Sequence, residues 1–134
     1  ARAKRIEWEH IVAAADFGSQ LQCWQYGGRK NCKKVSAKFR KMEADINNLA
    51  PAIGEINADR SNYRFGMIAG EKRAYGACDV EIDFKQRVIE PPAAARKRVA
   101  EGYFYMQRTY GLKISKKQKK LLEAWLHKKN NSKL

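Results

Sequence analysis

The sequence predicts an α+β fold, mainly helical with a few short strands, built as a single domain over residues 1–134. Three observations predict it. The last third repeats apolar residues at helical spacing between proline and glycine punctuation. Two segments, residues 4–10 and 79–84, alternate apolar and charged side chains, the period of a half-buried strand. At 134 residues and 44% hydrophobic composition, the chain is also long enough to close one core without relying on disulfides.

In chain order, Lys4 to His10 is the first strand, with Ile6 and Trp8 alternating against charged neighbours, and a loop is expected from about Ala13. Cys23 to Lys34 reads as a loop because of Gly27, Gly28 and a cluster of basic residues. Ser36 to Asp45 is a helix with Phe39 and Met42 on one face, and Asn48 to Ala50 is a short strand. Pro51 suits the first turn of a helix running to about Asn62. Gly66 to Gly76 is loop, and Asp79 to Phe84 is a strand carrying Val80, Ile82 and Phe84. Pro91 and Pro92 open a helix whose apolar stripe is Ala95, Val99, Tyr103, Met106 and Tyr110, and Gly111 ends it as a C-cap glycine. Ser115 and Gln118 form an S-x-x-Q capping box for a last helix that carries Leu121, Leu122 and Trp125, with Lys116, Lys117, Lys119 and Lys120 on its other face. The tail from Asn130 to Leu134 is expected to fray.

Charge narrows the function classes. The chain carries 28 Lys and Arg against 14 Asp and Glu, a formal +14. That balance favours a polyanion, nucleic acid before an anionic membrane surface. No apolar run approaches the ~20 residues of a membrane span. The first residues, Ala-Arg-Ala-Lys-Arg, show no secretory signal, as a mature or trimmed chain also would not. Three cysteines without a CxxC, and two histidines, do not make a zinc finger. Cys23 and Cys32 are either a disulfide formed in an oxidising compartment or, with Cys78, idle thiols.

Two constellations carry chemistry. Glu9-His10 closes the first strand: a carboxylate oxygen suits a hard cation, and a neutral imidazole takes a proton from water near pH 7. Adjacent strand residues face opposite ways, so the pair shares a site only if the strand ends or bends there. The run from Asn48 to Asn62 places Asn57 in mid-helix, where asparagine competes for the backbone and needs a reason, either a metal-ligand carbonyl or a hydrogen bond to a neighbouring loop.

A strand with His10, a long loop, a short strand with Asn48 and a helix with Asn57 resembles the ββα-metal, or His-Me finger, motif. The segments Trp8-Glu9-His10-Ile11-Val12, Gly27-Gly28-Arg29-Lys30-Asn31-Cys32, Asn48-Leu49-Ala50-Pro51, Gly54-Glu55-Ile56-Asn57, Asp59-Arg60-Ser61-Asn62, Asp83-Phe84-Lys85 and Glu90-Pro91-Pro92 resemble the bacterial endonuclease I family of periplasmic and secreted nucleases. The likeness runs from residue 5 to about 126. It departs at Ala13-Ala14-Ala15-Asp16, where the family commonly has Pro-Ala-Trp.

The resemblance implies a metal-dependent, sequence-nonspecific endonuclease that hydrolyses DNA, and RNA as well, leaving 5′-phosphate ends. His10 matches the general base, Arg29 the arginine on the scissile phosphate, and Glu9 and Asn57 the protein ligands of one divalent ion, Mg²⁺ by expectation. Asn48 matches the asparagine that braces the motif, and Lys30, Arg60 and Asn62 are candidate phosphate contacts, Arg60 and Asn62 alternatively holding the helix. Expected partners are DNA and RNA backbones, with no membrane and a monomeric chain, in the periplasm or outside the cell. The alternative is a basic nucleic-acid-binding protein without catalysis.

Overall fold

A computed structural model describes residues 5–68 and 80–127. In chain order it places β1 (Ile6–His10), α1 (Ala14–Gly18), α2 (Gly28–Val35), α3 (Ala37–Glu43), β2 (Leu49–Ile53), α4 (Gly54–Arg60), β3 (Arg64–Phe65), β4 (Glu81–Asp83), β5 (Val88–Glu90), α5 (Ala93–Tyr110) and α6 (Lys116–His127). Short 3₁₀ turns precede α2 and β2. The fold is α+β and mainly helical, as the patterning predicts. β1 and β2 form an antiparallel ribbon pairing His10 with Leu49 and Trp8 with Pro51. A second sheet runs in the order β3-β5-β4, with β3 parallel and β4 antiparallel to β5. Among the described residues no helix is long and apolar enough to cross a membrane.

The two C-terminal helices follow their local signals. Pro92 is the N-cap of α5, and Gly111 caps its C-terminus at φ 74°, a left-handed conformation that glycine adopts without a Cβ clash. Val99, Tyr103 and Met106 of the expected stripe are buried, with Ala95 and Tyr110 half-buried at its ends. Ser115 Oγ accepts from the Gln118 N–H at 3.2 Å as a capping box requires, while among the described residues the buried side-chain Nε2 of Gln118 finds no partner. Leu122 and Trp125 anchor α6, and Lys116, Lys117, Lys119 and Lys120 are exposed. Gly102 of α5 lets Ile11 approach, since a Cβ there would lie 2.8 Å from Ile11 Cδ1. The segment just after His10 is thereby pressed against the longest helix.

Elsewhere tertiary context overrides the local reading. Cys23–Lys34 is not a loop: a 3₁₀ turn, Gln22–Tyr26, leads into α2. Gly27 at φ 128° and Gly28 at φ 62° confine the left-handed geometry to two residues. Cys23 and Cys32 are joined by a disulfide, which staples the turn to α2. The residues after Ala13 are helix α1 rather than loop, with Phe17 fully buried. Pro51 does not start a helix. It sits inside β2, and α4 begins at Gly54 and ends at Arg60. A two-stranded ribbon consists of edges alone, so a residue lacking an N–H is tolerated there. β3 and β5 carry no alternation and go unread in the sequence. The expected Gly66–Gly76 loop, Asp79, Cys78 and the tail fall wholly or partly outside the described residues.

One polar cluster ties the turn before β2 to α5. Tyr105 and Tyr110 both donate to Asp45 Oδ2, at 2.8 and 2.6 Å, and Asn47 N–H donates to Asp45 Oδ1 at 3.0 Å. Desolvation raises the Asp45 pKa, but bonds from Tyr110, Tyr105 and Asn47 together outweigh it, and the carboxyl titrates below its ordinary value of 3.8. A folded-state pKa below the unfolded one adds stability that is complete above the unfolded value and drains as pH falls through the folded one. Thermal unfolding is therefore expected to show a midpoint that falls on acidification below about pH 4. Asp45→Asn is expected to flatten that acid limb, and an unchanged slope contradicts the assignment.

Candidate active site

β1, β2 and α4 form a ββα unit, beside which opens a cleft of about 680 Å³. Glu9, His10, Arg29, Asn57, Asn62 and Arg87 all line it. Residues that span nearly 80 positions of sequence therefore face one space.

His10 is the last residue of β1, and the backbone turns away into Ile11 and Val12, so Glu9 and His10 both reach the cleft. The His10 Nε2 lies 2.8 Å from the Glu43 carbonyl oxygen. A carbonyl only accepts, so Nε2 carries the proton and Nδ1 is left as the basic nitrogen. The Phe17 ring meets the imidazole edge-on at 5.9 Å. Burial, first of all, pushes the His10 pKa below its ordinary 6.5; the Glu43 carbonyl and carboxylate oppose this, while the Arg29 and Arg60 charges reinforce it. The ring is therefore neutral at pH 7, the form in which it takes up a proton.

Arg29, near the start of α2, donates through Nε to Glu43 Oε2 at 2.8 Å, and its terminal nitrogen lies 2.7 Å from the same oxygen. Glu43 thus braces two cleft residues at once, His10 through its backbone and Arg29 through its side chain. Nothing in its helical spacing distinguished it from a solvated acid. Lys30, beside Arg29, is exposed and lies outside the cleft lining.

Arg60 does not face the cleft as a free cation. It is 1% exposed, and its guanidinium donates to Glu9 Oε1 at 3.1 Å, to the His10 carbonyl, to the Ile11 carbonyl at 2.7 Å and to the Tyr63 carbonyl at 2.9 Å. It also stacks over Phe65 at 4.5 Å. These bonds tie Arg60 to β1 and to the segment after α4, while the residue also forms part of the cleft wall. Burial raises the Glu9 pKa, and the charge and hydrogen bond of Arg60 counter it.

Asn57 donates through Nδ2 to Glu7 Oε1 at 2.9 Å, a bond that leaves its Oδ1 as an acceptor. Glu7 went unsingled in sequence, although strand alternation places it on the Glu9 side of β1. Asn48 is fully buried, accepting the Val12 N–H at 2.8 Å and donating to the Val12 carbonyl at 3.0 Å. Through these bonds it joins the start of β2 to the segment after β1. Asn62 is occupied by Arg87, whose terminal nitrogen donates to Asn62 Oδ1 at 2.6 Å.

The donor set suits a hard cation. Among the described residues no group of three or more His, Cys, Asp and Glu is placed to hold a metal. Glu9 Oε2 and Asn57 Oδ1 are nevertheless two oxygen donors on one cleft, not taken up by the bonds above, and so sparse a set is one Mg²⁺ accepts together with waters and phosphate oxygens.

Comparison with known proteins adds sequence relationships to this geometry. Residues 1–132 match the model of the family described as Endonuclease I. The chain is 55% identical over 125 residues, 92% of its length, to a periplasmic deoxyribonuclease of Aeromonas hydrophila, and 54% identical over the same share to an extracellular deoxyribonuclease of that organism. It is 48% identical over 124 residues to an endonuclease-1 of Buchnera aphidicola. It spans only about half of their length, 52%, 54% and 49% respectively.

Proposed function

The chain belongs to the endonuclease I family, and from that premise we propose that it is the catalytic portion of a metal-dependent, sequence-nonspecific endonuclease of the periplasm or extracellular space. Its substrates in this reading are DNA and RNA backbones, and its products carry 5′-phosphates. The observation that carries the reading is the convergence of Glu9, His10, Arg29 and Asn57 on one cleft, with His10 held in the tautomer a base requires.

His10 Nδ1 takes the proton of the attacking water, and Nε2–H stays on the Glu43 carbonyl throughout, so the ring does not turn as its charge changes. Arg29, pre-oriented by Glu43, donates to nonbridging phosphate oxygens and counters the charge that builds on them. Glu9 and Asn57 would hold the divalent ion, Glu9 fixed by Arg60 and Asn57 by Glu7. When bound, that ion supplies Lewis-acid stabilisation of the phosphorane and of the departing 3′ oxygen. Backbone-directed cations carry no sequence information, which accounts for nonspecific cutting by a chain of charge +14.

Supercoiled plasmid and a structured RNA, each incubated with the protein and Mg²⁺ or with EDTA, test this. Nicking that requires the ion, with ends that ligate without prior phosphorylation, is the expected result. Retention of either nucleic acid without any cleavage would instead mark a binding protein and overturn the enzymatic reading.

A further inference from the structure

Among the described residues, the two non-glycine residues with positive φ are Ser61 at 51° and Arg87 at 59°, and both line the cleft. Arg87 ends the turn between β4 and β5. Asp83 Oδ1 shapes that turn by accepting the N–H groups of Lys85 at 3.0 Å and Gln86 at 2.9 Å. The left-handed position that follows is one where glycine or asparagine is preferred. An arginine there sits in an unfavourable backbone conformation, and such residues concentrate at functional sites.

The side chain is not left loose. Its guanidinium lies over the Tyr63 ring at 5.0 Å from the centroid and donates to Asn62 Oδ1 at 2.6 Å. Asn62 and Tyr63 follow α4, the helix that carries Asn57, with Ser61 between. Two separate chain segments are thereby clamped at the cleft rim. Arg29 is ion-paired with Glu43 and Arg60 with Glu9, whereas among the described residues no carboxylate pairs with Arg87. One N–H is used by Asn62, which leaves the rest of the fork for a ligand.

We propose that Arg87 is a second phosphate-binding residue of the cleft, gripping a backbone phosphate of the bound nucleic acid apart from the scissile one, with Asn62 as its orienting partner. The inference rests on the nuclease reading above. It moves the phosphate contact first sought at Asn62 onto the guanidinium that Asn62 holds. A charge fixed at the cleft rim by a strained turn costs little ordering when substrate arrives, and a planar fork suits two phosphate oxygens.

The test is binding of a short fluorescent DNA duplex by anisotropy across a salt series in EDTA, with all variants carrying His10→Ala so that nothing is cut. Arg87→Ala is expected to weaken binding roughly tenfold and to make the slope of log affinity against log salt shallower by about one. Arg87→Lys is expected to retain the parent slope with part of the affinity lost. Asn62→Ala is expected to weaken binding with the slope unchanged, because the charge stays but its orientation goes. Arg87→Gly relieves the backbone and is expected to keep the parent's melting temperature within a few degrees while binding like Arg87→Ala, which separates recognition from folding. Parent affinity and slope in both Arg87→Ala and Arg87→Gly overturn the proposal. A parent that does not bind the duplex overturns the nuclease reading itself, and this inference with it.

Discussion

His10→Ala is expected to lower phosphodiester hydrolysis by on the order of 10²-fold or more while leaving the fold and nucleic-acid binding in place. The reason lies in how the ring is held. Its proton is committed to the Glu43 carbonyl at 2.8 Å, and burial with two nearby guanidiniums keeps it neutral, so one nitrogen is available as a base under ordinary conditions. No other imidazole lines the cleft to replace it. The substitution also removes a half-buried hydrogen bond and the edge contact with Phe17, a loss of roughly 1 kcal/mol for the bond. A modest fall in melting temperature is therefore expected alongside the rate loss. Initial rates of plasmid nicking in Mg²⁺, with duplex affinity measured in EDTA, check both parts. A variant that nicks within a few fold of the parent contradicts the base assignment. A variant that loses binding in parallel points to damage of the fold instead.

Arg60→Met is expected to be the most damaging single change to stability, at about 3–5 kcal/mol. The guanidinium is 1% exposed and serves Glu9 and the carbonyls of His10, Ile11 and Tyr63. Methionine fills much of the volume yet satisfies none of these acceptors, and it leaves the half-buried Glu9 carboxylate without its counter-charge. Arg60→Lys keeps the charge but offers one compact ammonium where four acceptors are spread around a planar fork, so it is expected to recover less than half of the loss. Urea unfolding compares the three proteins. A difference under about 1 kcal/mol for Arg60→Met means that the network only coincides with stability. Because Arg60 also fixes Glu9, metal affinity is expected to fall together with stability, and calorimetric titration with Mn²⁺ follows it.

These two residues differ in how far sequence reveals them. His10 was legible as a candidate chiefly because neighbouring segments resemble a known family; a strand end with a carboxylate beside it is a weak signal on its own. Arg60 was legible as part of a motif but ambiguous in role, since one buried guanidinium and one cleft-facing guanidinium look alike on a helix. Its fate depends on the carbonyls of residues 10 and 11, some 50 positions away. Glu43 illustrates the same limit from the other side. It reads as a solvated acid on α3, yet its backbone fixes the His10 tautomer and its carboxylate aims Arg29. Pro51 shows local propensity losing to pairing: a good helix opener is held in β2 opposite Trp8.

The sequence by itself determined the α+β class, the two C-terminal helices with their caps, the basic character of the chain and its family. Periodicity, capping and charge are properties of a few neighbouring residues or of simple sums, so they survive without coordinates. Only the tertiary structure decided which charged groups are desolvated and which partners hold them: Arg60 inside, Glu7 on Asn57, Glu43 behind His10 and Arg29, and Asn62 beneath Arg87. Those outcomes follow from the cost of burying a charge without a partner, and the partner is supplied by whichever distant segment the fold brings within hydrogen-bond reach.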